Sequence, residues 1–420
     1  EKKMTDTAFN KICVIGLGYV GLPTAAVFAS RGVEVLGVDI NDHAVELIND
    51  GKVHIVEPDL DILVKGAVAA GKLSAQTTPE PADAFIIAVP TPFKENKKPD
   101  LKFVKAAVES LAPVLKKGDL VVIESTCPVG TTDSASHWIS ESRPDLSFPH
   151  AAGDSADINV AHSPERVLPG RVLIELVRND RVVGGVSHAC AIRTQQLYRI
   201  AVEGECLLTT ARTAELVKLS ENAYRDVNIA FANELSLVCD ELDIDAWEAI
   251  RLANHHPRVN ILTPGPGVGG HCIAVDPWFI VDSAPEQTPL IKAARLVNDG
   301  KPIHISDQVQ KAAAELGSTN IACLGLAYKA DIDDLRESPS VNVVADLAKD
   351  KRHTLWTVEP HSLTLPKKLE NLDSVKFSSL EDALTACDII VLLTDHSVFK
   401  DINPSDYPTK RFIDTRGIWK

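Results

Sequence analysis

A glycine-rich segment around Cys272 holds the residues most suited to covalent chemistry. It reads PGPGVGGHCIAVDP over residues 264–277 and places four glycines ahead of the cysteine. Glycine has no side chain, so the backbone of such a loop can approach a ligand closely. A cysteine in the chain is most often a small buried residue, but a thiol presented by a loop of this kind is suited to nucleophilic attack. The segment therefore favours Cys272 as a nucleophile.

Three other polar residues have types that would assist a thiol nucleophile. Asp276 follows Cys272 by four positions and is a candidate proton acceptor. Glu165, in the segment SPERVLPG, is a candidate to orient a hydrolytic water. Lys218 has the positive charge that stabilises a developing oxyanion. Lys218, Asn222 and Arg225 are spaced at i, i+4 and i+7, so they share one face of a predicted helix.

A dinucleotide-binding motif lies near the N-terminus. The apolar residues 12–15 lead into GLGYVG, a predicted helix over 22–30 follows, and a second strand ends at Asp39. This order is typical of a Rossmann unit, in which the pyrophosphate lies at the helix N-terminus and the acid binds the adenosine ribose. Because Asp39 would repel a 2′-phosphate, the sequence favours NAD over NADP. The residues predicted to contact NAD here are Gly16, Gly18, Tyr19, Val20, Gly21 and Asp39.

Two further predicted strands of the same sheet end in threonines and prolines. They are DAFIIAVPTP at 83–92 and DLVVIESTCPVGTT at 119–132. Ligands of parallel sheets bind at the carboxyl ends of the strands. We therefore predict that Thr91, Thr126 and Thr132 line the nicotinamide side of the cofactor, with Thr126 among the catalytic residues.

The predicted elements indicate an α/β protein built from two Rossmann-like, doubly wound parallel-sheet domains joined by a long central helix. The helix, over 212–242, has no Gly or Pro and would be roughly 45 Å long, enough to join two domains and supply a dimer surface. A second strand and turn, CLGLA, echoes VIGLG, but Lys329 replaces the third glycine and argues against a second dinucleotide site. The predicted domains are 1–210, an NAD-binding domain; 211–302, a helical dimerisation region with the cysteine loop; and 303–420, a second Rossmann-like domain.

Composition narrows the class of protein. The 43 basic and 58 acidic residues give a formal charge of −15, which argues against nucleic acid or an anionic membrane as the main partner. The eight cysteines form no CxxC pair, so neither a metal site nor a disulfide framework is predicted, and a cytoplasmic location is expected. No apolar run is long enough to span a membrane, and no signal peptide is predicted.

An NAD site together with a nucleophilic thiol suggests an oxidation through an enzyme-bound intermediate. Loss of a hydride converts an alcohol to an aldehyde, and attack by the thiolate gives a thiohemiacetal. A second hydride loss gives a thioester, which water hydrolyses to a carboxylate.

The chain resembles the UDP-glucose/GDP-mannose 6-dehydrogenase family over nearly its whole length. The motifs that carry the resemblance are GLGYVG with Asp39, VPTP, ESTCPVGTT, SPERVLPG, AELVKLSENAYRD, GGHCIAVDP and GLAYKADIDDLRESP. The resemblance implies a twofold oxidation of a nucleotide sugar at C6, with two NAD per turnover. It also implies Cys272 as the nucleophile, with Lys218, Asn222 and Asp276 around the oxyanion. The domain over 303–420 is implied to bind the UDP-sugar, and a homodimer is implied to form on the central helix.

Within this family the chain is most similar to the bacterial UDP-N-acetyl-D-mannosamine dehydrogenases. SPERVLPG, HHPRVNIL and GPGVGGHCIAVDPWFIV carry that likeness, which implies formation of UDP-N-acetyl-D-mannosaminuronate for a surface polysaccharide. Arg336 is implied to contact NAD, and Arg258 to reach the substrate of the other subunit. The implied sugar-nucleotide contacts are Arg166, Val167, Lys218, Asn222, Arg225, His256, Arg258, Gly269, Tyr328, Lys329 and Arg416.

Other functions remain open at this point. The alternatives are a 6-dehydrogenase of UDP-N-acetylglucosamine, UDP-N-acetylgalactosamine or UDP-glucose, because no motif identifies the sugar epimer. A β-hydroxy-acid dehydrogenase would share the glycine turn and a helical lysine but would not need Cys272. A non-catalytic nucleotide-sugar sensor is a third class, since fold alone does not fix function.

Overall fold

The computed structural model describes residues 9–94, 96–168 and 170–419. The chain divides into two compact units. The first comprises Glu1–Ser220 with Trp278–Ser283, and the second Glu221–Pro277 with Ala284–Lys420. The boundaries predicted at residues 210 and 302 remain predictions.

An eight-stranded sheet forms the centre of the first unit, in the order β3-β2-β1-β4-β5-β6-β7-β8. Neighbouring strands are parallel except β6 and β7, which are antiparallel. The strands are β1 Lys11–Ile15, β2 Glu34–Val38, β3 Leu73–Gln76, β4 Ala84–Ile87, β5 Leu120–Ile123, β6 Asn159–His162, β7 Arg181–Gly185 and β8 Cys206–Thr210. The helices are α1 Gly21–Ser30, α2 Asp42–Asn49, α3 Leu60–Ala69, α4 Lys102–Ser110, α5 Thr131–Ser142, α6 Pro149–Ala152, α7 Val172–Arg178 and α8 His188–Tyr198.

Both faces of this sheet are covered by helices. Along β1, Ile12 and Val14 belong to one apolar cluster, whereas Cys13 and Ile15 belong to another. Side chains of a strand point alternately to the two faces, so each face has its own core. The near-continuous apolar sequence of strands such as β4 follows from this, because strands covered on both sides are buried throughout.

The second unit contains a five-stranded parallel sheet in the order β11-β10-β9-β12-β13. Its strands are β9 Asn320–Leu324, β10 Thr354–Val358, β11 Val375–Phe377, β12 Ile389–Leu392 and β13 Arg411–Asp414. The remaining helices of the chain are α9 Ala211–Glu241, α10 Ala246–Ala253, α11 Asp276–Ser283, α12 Pro289–Leu316, α13 Pro339–Leu347, α14 Lys367–Glu370 and α15 Leu380–Ala386. Along β9, Ile321 and Cys323 join one cluster and Ala322 and Leu324 another, so this sheet is also covered on both faces.

The predicted fold is confirmed, with one difference. Two Rossmann-like sheets and the long helix α9 are present, and the helix, at 31 residues, begins and ends within one residue of the predicted bounds. The antiparallel pairing of β6 with β7 was not predicted, because an apolar run does not show the direction of its strand. Within the described ranges, no helix combines the length and apolar character needed to cross a bilayer.

Candidate active site

The glycine turn after β1 has the geometry of a nucleotide-binding loop. Gly16 has φ of +89°, and a Cβ at Gly21 would lie 1.8 Å from the carbonyl oxygen of Gly16. These two positions therefore require glycine, since any side chain would separate helix α1 from the turn. A Cβ at Gly18, in contrast, would meet nothing within 4 Å, so the space beside this residue is open to a ligand.

The start of α1 and Asp39 complete the features that suit NAD. Val20 precedes α1 and makes no side-chain cap, and the first turn holds no acidic residue. The amide groups of this turn are thus placed to bind a pyrophosphate. Asp39 directly follows β2, and its two carboxylate oxygens accept hydrogen bonds from the amides of Leu17 and Asn41, each at 2.9 Å. These bonds fix the carboxylate beside the glycine turn, where a ribose would be bound.

The three predicted threonines follow β4 and β5. The hydroxyl of Thr91 donates to the carbonyl oxygen of Thr126 at 2.6 Å, so these two residues lie together. The amide and hydroxyl of Thr132 donate to the carboxylate of Glu215 at 2.8 and 2.6 Å. The hydroxyl of Thr132 thus holds its own loop against helix α9. Sequence reasoning missed Glu215, although it precedes Lys218 by three residues on α9 and shares its face.

Lys218 and Glu165 form an ion pair in the first unit. Lys218 Nζ lies 3.6 Å from Glu165 Oε1, and both side chains are largely buried. A charged pair in such a place interacts more strongly than one in bulk water. In the same loop, Arg166 donates to the carbonyl oxygen of Asp180 at 3.1 Å, and the amide of Val167 donates to Glu165 at 3.4 Å. The structure therefore brings together Lys218, which is predicted to stabilise the oxyanion, and Glu165, which is predicted to orient the hydrolytic water.

In the second unit, Cys272 lies at the turn that leads into α11. Its carbonyl oxygen accepts the amides of Val275 and Asp276 at 3.0 and 2.8 Å, and the residue is half-buried. Asp276 is the first residue of α11 and is buried. The side-chain amide of Asn222 donates to Asp276 Oδ2 at 2.5 Å. The sequence spacing of Cys272 and Asp276 thus places the acid on the helix that follows the thiol, with Asn222 fixing its carboxylate.

The glycines before Cys272 are required by close packing within the second unit. A Cβ at Gly269 would lie 2.4 Å from Cβ of Tyr328, and one at Gly270, where φ is +80°, would lie 3.1 Å from the Tyr328 ring. A Cβ at Gly265 would lie 2.3 Å from a guanidinium nitrogen of Arg416. The thiol loop therefore packs against Tyr328 and Arg416, two of the predicted substrate contacts. Burial raises the pKa of the Tyr328 hydroxyl, and the nearby Asp334 carboxylate adds to this shift.

The remaining predicted residues lie at or near the surface of the second unit. Arg225, His256, Arg258 and Lys329 are exposed. The guanidinium of Arg336, the predicted NAD contact, donates to both carboxylate oxygens of Asp334, at 2.6 to 3.1 Å. The backbone carbonyl of Arg336 accepts the amide of Gly270 at 3.0 Å, so this residue also supports the thiol loop.

Comparison with known proteins identifies the family. Three domain models of the UDP-glucose/GDP-mannose dehydrogenase family match the chain: the NAD binding domain over residues 10–202, the central domain over 212–300 and the UDP binding domain over 322–420. The chain belongs to the UDP-glucose/GDP-mannose dehydrogenase family. It is thus an NAD-dependent oxidoreductase, and the predictions of family and cofactor are confirmed.

Relatives match this dehydrogenase over its whole length. An NDP-N-acetyl-D-galactosaminuronic acid dehydrogenase of Ralstonia nicotianae is 58% identical over 99% of this chain and 97% of its own. A UDP-N-acetyl-D-mannosamine dehydrogenase of Yersinia pestis is 57% identical over 98% of this chain and 100% of its own. Among solved structures, the UDP-D-ManNAc dehydrogenase of Pyrococcus horikoshii superimposes with a TM-score of 0.86, at 40% identity, over 98% of this chain and 96% of its own.

The dehydrogenase also has a buried ionic cluster that sequence reasoning did not predict. Arg181 donates to Glu124 Oε1 at 2.5 Å, and the hydroxyl of Tyr198 donates to the same oxygen at 2.6 Å. Arg181 also donates to the hydroxyl of Ser163 at 3.0 Å, two residues before Glu165. Burial raises the pKa of the Glu124 carboxyl, and Arg181 opposes that shift. Through the bond of Arg181 to Ser163, the cluster holds the segment that leads to Glu165. Its members are far apart in the sequence, so sequence patterns did not reveal it.

Proposed function

We propose that this dehydrogenase oxidises C6 of UDP-N-acetyl-D-mannosamine to a carboxylate, with reduction of two NAD⁺ and consumption of one water. The observation that carries the proposal is the likeness to the Yersinia pestis enzyme, which extends over 100% of that relative. The likeness therefore extends over the regions of both nucleotide domains and of the thiol loop. The Pyrococcus horikoshii structure supports the same substrate class.

NAD fits the first unit. The turn from Gly16 to Gly21 and the carboxylate of Asp39 would hold the cofactor, and NAD⁺ when bound supplies a hydride acceptor for each oxidation. Thr91 and Thr126 follow the strands whose carboxyl ends line the cofactor in folds of this type. We assign the nicotinamide side to them.

Cys272 supplies the covalent step. Its thiolate adds to the C6 aldehyde and forms a C–S bond, giving a thiohemiacetal whose loss of a second hydride leaves a thioester. Water then adds to the thioester carbon, the C–S bond breaks, and the uronate and the thiol are released. The covalent link retains the reactive aldehyde until it has been oxidised.

The two polar pairs described above take the remaining roles. Asp276, fixed by Asn222, accepts the protons released in the oxidation. Lys218 stabilises the negative oxygen that develops at C6, and Glu165 orients the hydrolytic water. The ion pair of Lys218 with Glu165 holds these two side chains next to each other.

We also propose that the protein is a homodimer formed through α9, in the cytoplasm. Tyr224, Phe231 and Val238 recur at seven-residue intervals on this helix and are 73, 57 and 48% exposed. Apolar residues with this spacing form one stripe along a helix, and a continuous exposed stripe is typical of an interface. From such a dimer Arg258 would reach the substrate of the partner subunit. Within the described residues, none of the eight cysteines is joined in a disulfide, which suits a reducing compartment.

A second candidate substrate is UDP-N-acetyl-D-galactosamine. It is favoured by the 58% identity to the Ralstonia nicotianae relative, named for the galactosaminuronic acid. The experiment that decides is the rate and stoichiometry of NADH formation with the manno, gluco and galacto UDP-N-acetylhexosamines and with UDP-glucose. We expect the highest kcat/KM with the manno sugar and two NADH per sugar. A preference for the galacto sugar would replace the first proposal by the second, and one NADH per sugar would contradict both.

A further inference from the structure

The loop that follows β9 carries two of the proposed substrate contacts. Tyr328 and Lys329 lie in residues 325–331, at the carboxyl end of the central strand of the second sheet. This is the place that the glycine turn occupies in the first unit, after β1. Aligned with GLGYVG, this loop has Ala327 and Ala330 at the second and third glycine positions, so the predicted replacement of the third glycine by Lys329 is wrong by one position. Because two of the three glycines are absent, other contacts must fix the shape of this loop.

Glu359 provides one part of those contacts. It directly follows β10, as Asp39 directly follows β2 in the first unit. Glu359 is only 4% exposed, and its Oε2 accepts the amides of Leu326 and Ala327 at 2.7 and 2.9 Å. Asp39 likewise accepts the amide of Leu17 in its own loop, but Asp39 is only partly buried, whereas Glu359 is buried and binds two loop amides. Glu359 holds the loop at its first residues.

His396 provides the other part. The ring is fully buried, its Nδ1 accepts the amide of Asp331 at 2.9 Å, and its Nε2 lies 3.1 Å from Glu359 Oε2. Since Nδ1 accepts a hydrogen bond, the proton of the neutral ring is on Nε2 and is donated to Glu359. The two side chains thus form one connected unit that holds the loop at both ends, at 326–327 and at 331.

The backbone at Asp331 shows that the end of the loop is held in an unusual conformation. Asp331 has φ of +58°, in the left-handed region that few residues other than glycine adopt. Its carboxylate accepts the amide and the hydroxyl of Ser397 at 2.9 and 2.6 Å, so the residue after His396 also holds it. A backbone of this kind persists only where neighbouring contacts determine it.

We propose that Glu359 and His396 are positioning residues that hold loop 325–331 in the shape by which Tyr328 and Lys329 bind the UDP-sugar. This inference rests on the proposed function, since it assigns the loop to that substrate. It also explains why the second Rossmann-like unit is no dinucleotide site. The acid of the ribose position is buried, and it serves the loop instead of a ligand.

A metal site is the competing interpretation of the same residues. The ligand atoms of Asp331, His361 and His396 lie within 4.8 Å of one another, close enough for one ion. Both ring nitrogens of His396, however, already have protein partners. The pair of Glu359 and His396 accounts for the geometry without an ion. His361, whose ring is tilted against that of His396 at a centroid distance of 4.9 Å, separates the two interpretations.

The test measures binding of UDP and of NAD to the full chain by isothermal titration calorimetry. His396→Leu removes both contacts of the ring, and we expect a loss of UDP affinity of roughly tenfold or more, with NAD affinity unchanged. His396→Asn keeps an acceptor for the Asp331 amide, so its loss is expected to be smaller. The matched control His361→Asn should leave UDP binding unchanged. In turnover, the KM for the UDP-sugar should rise by a similar factor in His396→Leu while kcat changes little.

Each outcome is decisive. Unchanged UDP affinity in His396→Leu, with NAD binding intact, would overturn the proposal. Two results together would favour a metal site over the pair of Glu359 and His396. His361→Asn would lose as much UDP affinity as His396→Leu, and chelation would lower the UDP affinity of the wild type until Zn²⁺ restored it. If His396→Leu does not fold, Ser397→Ala gives the milder test, with an expected loss of about two- to threefold in UDP affinity. A wild-type protein that binds no UDP would refute the proposed function, and with it the assignment of this loop to the UDP-sugar.

Discussion

The carboxylate of Glu215 accepts the amide and the hydroxyl of Thr132, at 2.8 and 2.6 Å, and also the amide of Gly130 at 2.6 Å. Glu215 is fully buried and lies one helical turn before Lys218 on α9. The loop after β5, predicted from sequence to line the nicotinamide, is therefore held against the helix that carries Lys218, the proposed oxyanion-stabilising residue. Within the first unit, this contact connects the proposed cofactor loop to the placement of Lys218.

Glu215→Gln should weaken that link. The glutamine side chain keeps one acceptor oxygen but presents an NH₂ group to donors, so at least one of the three hydrogen bonds is lost. We expect a fall of about 1–3 kcal/mol in the free energy of unfolding, together with a higher KM for NAD. Denaturant unfolding and initial-rate kinetics measure both. The exposed Glu203→Gln serves as control, and an unchanged KM for NAD in Glu215→Gln would show that the contact is structural only.

Glu165→Gln should slow hydrolysis of the acyl-enzyme. The substitution removes the carboxylate that we assign to the hydrolytic water while keeping the size of the side chain. We expect a burst of NADH followed by slow turnover, with kcat reduced by roughly 10²-fold or more. Intact-protein mass spectrometry should detect the covalent sugar-nucleotide adduct. If no adduct accumulates and the burst is absent, hydrolysis is not the step that Glu165 serves.

Lys301 should make stability depend on pH in alkaline solution. Burial lowers the pKa of this ammonium to about 8, and its hydrogen bond runs to the hydroxyl of Ser236 at 2.8 Å. Because the folded pKa lies below the usual value of 10.5, the unfolded state binds more protons between these two pH values. The free energy of unfolding should therefore rise from pH 8 towards pH 10.5, by at most about 3 kcal/mol, and be independent of this group below pH 8.

Lys301→Met isolates the contribution of that amine. The variant lacks the titrating group, so the difference in unfolding free energy between it and the wild type should change over that pH range and be constant below it. Urea titrations at several pH values supply the comparison. A difference that stays constant from pH 7 to 10 would contradict the lowered pKa.

Phe231→Glu should dissociate the proposed dimer. A carboxylate in the middle of the stripe formed by Tyr224, Phe231 and Val238 would be buried without a partner in the interface. We expect a monomer by size-exclusion chromatography with light scattering at micromolar concentration. Asp240→Asn, which is exposed on the opposite face of the same helix, should remain dimeric. A Phe231→Glu variant with the mass of the wild-type oligomer would exclude this surface.

Local patterns in the sequence predicted much of the fold. The glycine turn, the strand ending at Asp39 and the uninterrupted helix α9 each follow from residues near one another in the chain. The second Rossmann-like unit was recognised in the same way, from CLGLA. The antiparallel pairing of β6 and β7 was not recognised, because an apolar run does not indicate the direction of its strand in the sheet.

The sequence predicted the candidate catalytic residues but not the buried acids that hold their loops in place. Cys272 and Asp276 belong to one segment, and Lys218 is part of a recognisable motif, so their types and spacing suggested their chemistry. The acids Glu124, Glu215 and Glu359 bind the partners described above across 32 to 85 positions of the chain. The sequence does not show which acidic residues are buried, because their hydrogen-bond donors come from distant parts of the chain. The glycines at 269 and 270 were predicted as room for a ligand, whereas the structure shows that Tyr328 fills the space beside them.

The most direct test of the covalent mechanism compares Cys272→Ser with Cys206→Ser, a half-buried cysteine outside the loop. Uronate formation and binding of NAD and UDP would be measured for both. We predict that Cys272→Ser loses roughly 10³-fold or more in the rate of uronate formation while both nucleotides still bind, and that Cys206→Ser keeps wild-type activity. Uronate formation at the wild-type rate by Cys272→Ser would contradict the account.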